Sequence, residues 1–339
     1  MKKLFLISAA VLAFCACSND EKIAENTAST QPKEIAFMPI AQKATRAAIE
    51  DGAFPTTEDM EVAAYQVQPI VGNYFSGTTF TYNSTSTKWE GKTTHRYWPL
   101  SAAYINFLAY ANVTGTASFN STTPASEATI DMTDNSTAQK DLVYAIGSGE
   151  VEIDGNSLTF PANVTMQFQH AQSLIAFRVK AYGDAEESAI TVKKITLNNA
   201  YYAGTFVITH SNYNATSSQS VNGEWSDFDE QKDLDVPGSA DKSINKTTFT
   251  DAGSVLVVPI STQTTPPTID PSFDSFTISY TFDDKDYTYT YVPTVPAGRV
   301  LTKATKYVYD ITFKLHEILI SPTVATWSNG GTDAITIQE

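Results

Sequence analysis

The sequence predicts an all-β protein, and three observations carry that prediction. Apolar and aromatic residues alternate with polar ones in many short runs. The runs are separated by Gly, Pro, Asn and Asp, residues that form turns. Apolar spacing of three and four, the mark of an amphipathic helix, is nearly absent. A chain of 339 residues is long enough for about two domains, so the expected architecture is two β-sandwiches in tandem. The joint is placed near Asn163, after the polar stretch DGNSLTFPAN.

The elements follow in chain order. Residues 1–16 read as a signal peptide: Lys2 and Lys3 open it, residues 4–14 are apolar, and small residues close it. That run is too short for a stable membrane span. Residues 18–33 are polar and aperiodic, a tether. EIAFMPIAQ predicts one short strand, in which Pro39 lacks a ladder donor and suits an edge or a bulge. The stretch IAQKATRAAIEDG around Arg46 is loop-like.

From Phe54 onward the signal is β. TTFTYNSTSTKWEGK reads as a hairpin with an Asn-Ser-Thr turn. Tyr104, Asn106, Leu108 and Tyr110 alternate with Ile105, Phe107, Ala109 and Ala111, a strand apolar on both faces. MQFQHAQSLIAFRVKAYG sets Met166, Phe168 and His170, then Leu174, Ala176 and Arg178 against Ile175, Phe177 and Val179. ITVKKITLNNAYYAGTFVI predicts two strands around Asn198-Asn199 and Gly204. SFTISYTFDDKDYTYTYVPTV predicts the clearest hairpin, with Asp283, Asp284 and Lys285 in its turn. KYVYDITFKLHEILIS reads as one long strand, and TVATW and AITIQ close the chain.

Composition narrows the function. Hydrophobic residues at 42% and aromatics at 12% are globular values, and the net charge is -15. Such acidity argues against nucleic acid as a partner, because phosphate binding rests on Lys and Arg. Both cysteines, Cys15 and Cys17, lie in the leader, so no disulfide framework is expected. His95, His170, His210 and His316 have no ligand-spaced partners, so neither a metal nor a cofactor is expected. His170 reads as a core or hydrogen-bonded histidine. The carboxylates of DFDEQKDLD and FDDKD read as solvated turns. No nucleophile elbow or phosphate-binding loop occurs, and the chain does not read as an enzyme.

Two resemblances add to this. FCAC followed by SND resembles a bacterial lipoprotein box, with Ala16 before Cys17 and Phe14 where Leu is usual. It implies lipidation at Cys17, hence attachment of the precursor to a membrane through acyl chains. KATRAA around Arg46, YWPLSAAYINFLAYA, FQHAQSLIAFRV, and YVYDITF with ILISPTVATWSNGG then occur in an order and spacing that resemble the fimbrillin family.

That resemblance implies two transthyretin-like β-sandwich domains in tandem and a stalk or tip subunit of an adhesive surface fimbria. The chain would travel to the outer membrane as a lipidated precursor. An arginine-specific protease would cut between Arg46 and Ala47, and subunits would polymerise head-to-tail by strand exchange. The displaced strand would carry Ile35, Phe37 and Ile40. The donor would be residues 320–339, with Ile320, Val324, Trp327, Ile335 and Ile337. The division implied is residues 17–46 as tether and removable strand, 47–163 as the first sandwich and 164–339 as the second. Expected partners are other fimbrial subunits, a host or bacterial surface ligand, and the membrane through the lipid. A non-polymerising glycan-binding surface lipoprotein and a secreted β-sandwich hydrolase stay open, as does Arg46 as an ordinary linker residue.

Overall fold

The computed structural model describes residues 31–41, 54–182, 190–228, 230–260, 272–293, 301–314, 318–326 and 335–336. Every regular element among them is a strand. The first ten are β1 (Phe37–Ala41), β2 (Met60–Gln68), β3 (Gly72–Asn83), β4 (Lys88–Gly91), β5 (Ala103–Ala111), β6 (Gly115–Phe119), β7 (Glu127–Met132), β8 (Val143–Asp154), β9 (Ser157–Thr159) and β10 (Val164–His170). The next six are β11 (Ser173–Ala181), β12 (Ile190–Tyr201), β13 (Gly204–Ser211), β14 (Ser220–Ser226), β15 (Gln231–Asp235) and β16 (Lys242–Ser243). The last six are β17 (Thr250–Val257), β18 (Ser275–Phe282), β19 (Lys285–Tyr291), β20 (Thr305–Phe313), β21 (Ile318–Thr326) and β22 (Ile335–Thr336).

The first sheet has eight strands in the order β10-β1-β4-β3-β2-β5-β8-β9, and β10 also pairs with β8. Strands β1, β4, β3, β2, β5, β8 and β10 therefore close into a hydrogen-bonded ring. Going once around a ring, strand direction must return to itself, so antiparallel junctions must be even in number. A ring of seven strands needs at least one parallel junction, and here it is β1 with β10. The interior is apolar: Phe37 meets Phe80 at 4.7 Å and Phe107 at 5.2 Å between ring centres. Both contacts are edge-on, the arrangement aromatic quadrupoles prefer.

A second sheet, β14-β13-β7-β6, covers the outer face of β5. Ile130, Phe206, Ile208 and Trp225 pack there on Leu108 and Tyr110. This is why both faces of β5 are apolar. The remaining two sheets, β17-β11-β20-β21-β22 and β15-β12-β18-β19, enclose the last core. Phe177 and Tyr309 of one meet Phe276 of the other, each at 5.0 Å. The whole is all-β and sandwich-like.

One corner joins these parts. Between β10 and β11, the Ala171 N–H donates to Leu142 O (2.9 Å), and Ala171 O accepts from Trp225 Nε1 (2.6 Å). Gln172 accepts from Leu142 N at its side chain (3.0 Å) and from Ala304 N at its carbonyl (2.9 Å).

Several elements differ from the sequence reading. DGNSLTF forms the β8–β9 hairpin, and β10, which starts just after Asn163, belongs to the first sheet. Asn198-Asn199 is a bulge inside β12, where the register jumps from Leu197↔Leu234 to Ala200↔Lys232. KYVYDITFKLHEILIS splits into β20 and β21, paired antiparallel from Phe313↔Ile318 onward. DFDEQKDLD contains edge strand β15, in which only Leu234 is buried.

The turn chemistry is as the sequence predicts at the first hairpin, and at the second the turn is Asp283-Asp284 alone, because Lys285, expected in it, is the first residue of β19. Asn83 Oδ1 accepts from Thr85 N (2.9 Å), an Asx turn between β3 and β4. Asp283 and Asp284 have φ of 48° and 59°, and Phe282 pairs with Lys285 across them. Positive φ at both central positions defines a type I′ turn, which favours glycine second. Asp284→Gly is expected to stabilise the protein by about 0.5 kcal/mol, read as a higher thermal midpoint.

Candidate assembly site

The N-terminal strand is the element on which the family resemblance turns. It is held on three sides. On one, Phe37↔Val164 through Ala41↔Phe168 form the parallel ladder with β10. On another, Phe37 pairs with Trp89 of β4. Just before the strand, Ile35 N donates to Arg96 O (2.7 Å) and Trp98 N donates to Lys33 O (2.9 Å).

Alternation then decides which side chains enter the ring. Ile35 and Phe37 are fully buried. The next inward position is Pro39, which is also buried, while Met38 on the other face is 49% exposed. Ile40, the third residue named for the displaced strand, is on that other face and only half-buried. Pro39 costs no bond. The bond from Val164 N to Ala36 O (2.9 Å) sets the ladder phase, so Pro39 turns its nitrogen away from β10. On that side β4 has already ended at Lys88.

Beneath β1 lie Val164, Met166 and Phe168, all in the ring core. Phe54, the first described residue after Arg46, stacks on Phe168 at 4.9 Å. Taking β1 away would leave an apolar groove with unpaired N–H and C=O groups along β10 and at the Trp89 end of β4.

A polar contact also holds the segment. Glu34 Oε1 lies 2.6 Å from His95 Nδ1 and accepts from Gly91 N (3.3 Å). The hydrogen bond to Glu34, then its charge, raise the His95 pKa above its ordinary value. Nothing local in the sequence pairs Glu34 with a histidine so far along the chain.

At the other end, β21 pairs with β20 from Thr305↔Thr326 to Phe313↔Ile318. Ile320 is half-buried against the last core. Val324 pairs with Tyr307 and with Ile335 of β22. Of the expected donor residues, these three lie in strands that are paired within the chain. Trp327 and Ile337 lie outside the described residues, as do Cys17, Arg46 and Ala47.

The remaining candidates are structural. His170 is 1% exposed, with Nδ1 2.8 Å from Asp141 Oδ2, as expected of a core histidine. Burial raises the Asp141 pKa and outweighs the opposite pull of His170. Burial lowers the His210 pKa, and its Nδ1 is 3.0 Å from Ala125 O. A cleft of about 850 Å³ runs past Asp59, Glu61, Lys92 and Asn112. Its charges pair with neighbours: Lys92 with Asp59 at 2.5 Å, and Glu61 with Thr79. Tyr110 in its wall is 6% exposed and packs on Phe119, core packing more than a sugar platform.

Among known proteins the chain is similar to a family and to several solved structures. The family model described as fimbrillin-like matches residues 45–327. A Bacteroides ovatus protein assigned to cell adhesion shares 16% identity at a TM-score of 0.50, covering 89% of this chain and 100% of its own. A fimbrial protein from Bacteroides vulgatus shares 16% identity at 0.49, covering 86% and 99%. The fimbrial anchor protein Mfa2 from Porphyromonas gingivalis shares 10% identity at 0.33, covering 88% and 99%. No curated protein matches the chain significantly. The chain belongs to the fimbrillin-like family.

Two outcomes test the hold on β1. Phe37→Ala should cost about 3–5 kcal/mol, seen as a lower urea midpoint. The His95–Glu34 contact should make stability depend on pH. A raised folded pKa means the contribution is complete below about pH 6.5 and is lost as pH rises through the raised value. The urea midpoint of the wild type should fall towards that of His95→Gln over this window.

Proposed function

We propose that the chain is a structural subunit, stalk or tip, of an adhesive surface fimbria, built by strand exchange from a lipidated precursor. Lipid on Cys17 would hold the precursor at the outer membrane. A cut between Arg46 and Ala47 would separate β1 from the rest of the chain, because Arg46 falls between β1 and Phe54. The two halves would be transthyretin-like sandwiches.

The observation that carries this reading is the position of β1 in the ring. It closes the sheet, fills it with Ile35 and Phe37, and is the strand that one cut near Arg46 would leave held by noncovalent contacts alone. An incoming strand would restore the same backbone bonds by β-augmentation. Ring parity requires one of its two junctions to be parallel and the other antiparallel; in the direction of β1 it would run parallel to β10 and antiparallel to β4. The donor would come from residues 320–339 of another subunit, in a head-to-tail contact that propagates. Part of that segment is β21, so donation would exchange its ladder with β20 for one with β10.

Limited trypsin on the purified precursor tests this, with Arg46→Ala as control. Intact mass should show a cut after Arg46, followed by an SDS-resistant ladder on gels. A synthetic peptide of residues 31–42 in excess should suppress the ladder by refilling the groove. A cut protein that stays monomeric would remove the stalk role.

A further inference from the structure

The sheets of this protein end in edges, and nearly all of the described ones are blunted. An exposed edge is a template for another strand unless it is shortened, bent or charged. Strands β9 and β22 have three and two residues. Strand β15 carries Lys232, Asp233 and Asp235 in five residues. Strand β17 is kinked at Gly253, with φ of +92°, and β6 begins at Gly115, with φ of +120°. On β14 the Lys303 ammonium takes the Gly223 carbonyl.

Strand β19 is different. Its seven residues, KDYTYTY, contain no Gly, Pro or bulge, and its two charges, Lys285 and Asp286, are confined to the turn end, which leaves residues 287–291 uncharged. Its only partner among the described residues is β18. Thr and Tyr are among the best strand formers. Tyr287 is 42% exposed and stacks on its cross-strand partner Tyr280 at 5.6 Å.

The hairpin fixes which groups are free. Phe282 and Lys285 flank a two-residue turn and form a hydrogen-bonded pair. Bonded and non-bonded pairs alternate along an antiparallel ladder. Lys285, Tyr287, Tyr289 and Tyr291 thus turn their backbone groups towards β18. Asp286, Thr288 and Thr290 turn theirs outward.

We propose that β19 is a self-association edge, on which a second copy of this chain docks its own β19 antiparallel about a two-fold axis through Thr288. In that register Thr288 faces Thr288 of the second copy, and Asp286 faces Thr290 in both directions. Every outward N–H and C=O of the three residues then has a partner. Tyr287 of each copy lies opposite Tyr289 of the other, a cross-strand aromatic pair. Lys285 lies opposite Tyr291, so no like charges are directly opposed. The two sheets join into one, β15-β12-β18-β19 continued by its symmetry mate. The contact is isologous and closes as a dimer. It goes beyond strand exchange and does not rest on it.

The test is sedimentation velocity of the purified full chain over a concentration series, with Arg46→Ala present so that the cut is not in play. A reversible dimer is expected. Thr288→Lys and Thr288→Glu each set a like charge against itself across the axis. Each should weaken association by roughly fivefold or more, while thermal unfolding of both stays unchanged because Thr288 is exposed. Mixing the two variants in equal amounts should restore the dimer through the opposed charges. A protein monomeric at all concentrations, a dimer indifferent to both substitutions, or one not restored by mixing would each overturn the proposal. The trypsin ladder is scored separately on the cut chain, so either idea can fail alone.

Discussion

The closure of the first sheet by β1 is the constraint on which most of the architecture depends. Without it, β10 would keep only its short pairing to β8 at Gln169 and His170. The interior around Phe80 and Phe107 would lose the ring that separates them, since Phe37 touches both. Strand β10 also runs directly into β11 of the last sandwich. Whatever occupies the β1 position therefore acts on the corner between the ring and the last core as well as on the ring itself.

That corner is polar and buried. Asp141 and His170 are 0% and 1% exposed, and one carboxylate oxygen of Asp141 has no partner. Burying such a pair is costly in itself. What it adds is geometry: with the Gln172 bonds to Leu142 and Ala304, it sets one relation between the ring, the covering sheet and the last sandwich. Asn106 does similar work on β5, donating to Tyr213 O and Ala215 O at 2.7 Å each and so tying down the loop after β13.

Where the physics was local, the sequence was readable. The Asn83 and Asp283-Asp284 turns follow from side-chain chemistry within a few residues. The double apolar face of β5 signalled burial on both sides, though not what would cover it. Pairing between distant segments was not legible. Asn198-Asn199 has turn chemistry, but β15 pairs with β12 on both sides of it and turns it into a bulge. Leu234 alone makes an edge strand of an acidic stretch. The polar run DGNSLTF looks like a linker, and only its partner β8 shows it to be a hairpin. At the site, β1 was legible as a strand. The inward place of Pro39 over Ile40 was not, because a proline disguises strand alternation. The Glu34–His95 contact links positions 61 residues apart and leaves no trace in either neighbourhood.

The covering sheet has a consequence for how the molecule is made. Its strands β6 and β7 precede the ring's last strand in the chain, while β13 and β14 follow it. A chain emerging from its N-terminus can complete the ring at His170. At that moment Leu108 and Tyr110 still lack Phe206, Ile208 and Trp225. The nascent first half thus carries a sticky apolar strip until residue 225 has arrived. Such delayed long-range pairing slows folding and exposes intermediates to aggregation. The two halves are not beads on a string but a mortise cut in one piece and filled by the next, and neither is finished before the other is largely made.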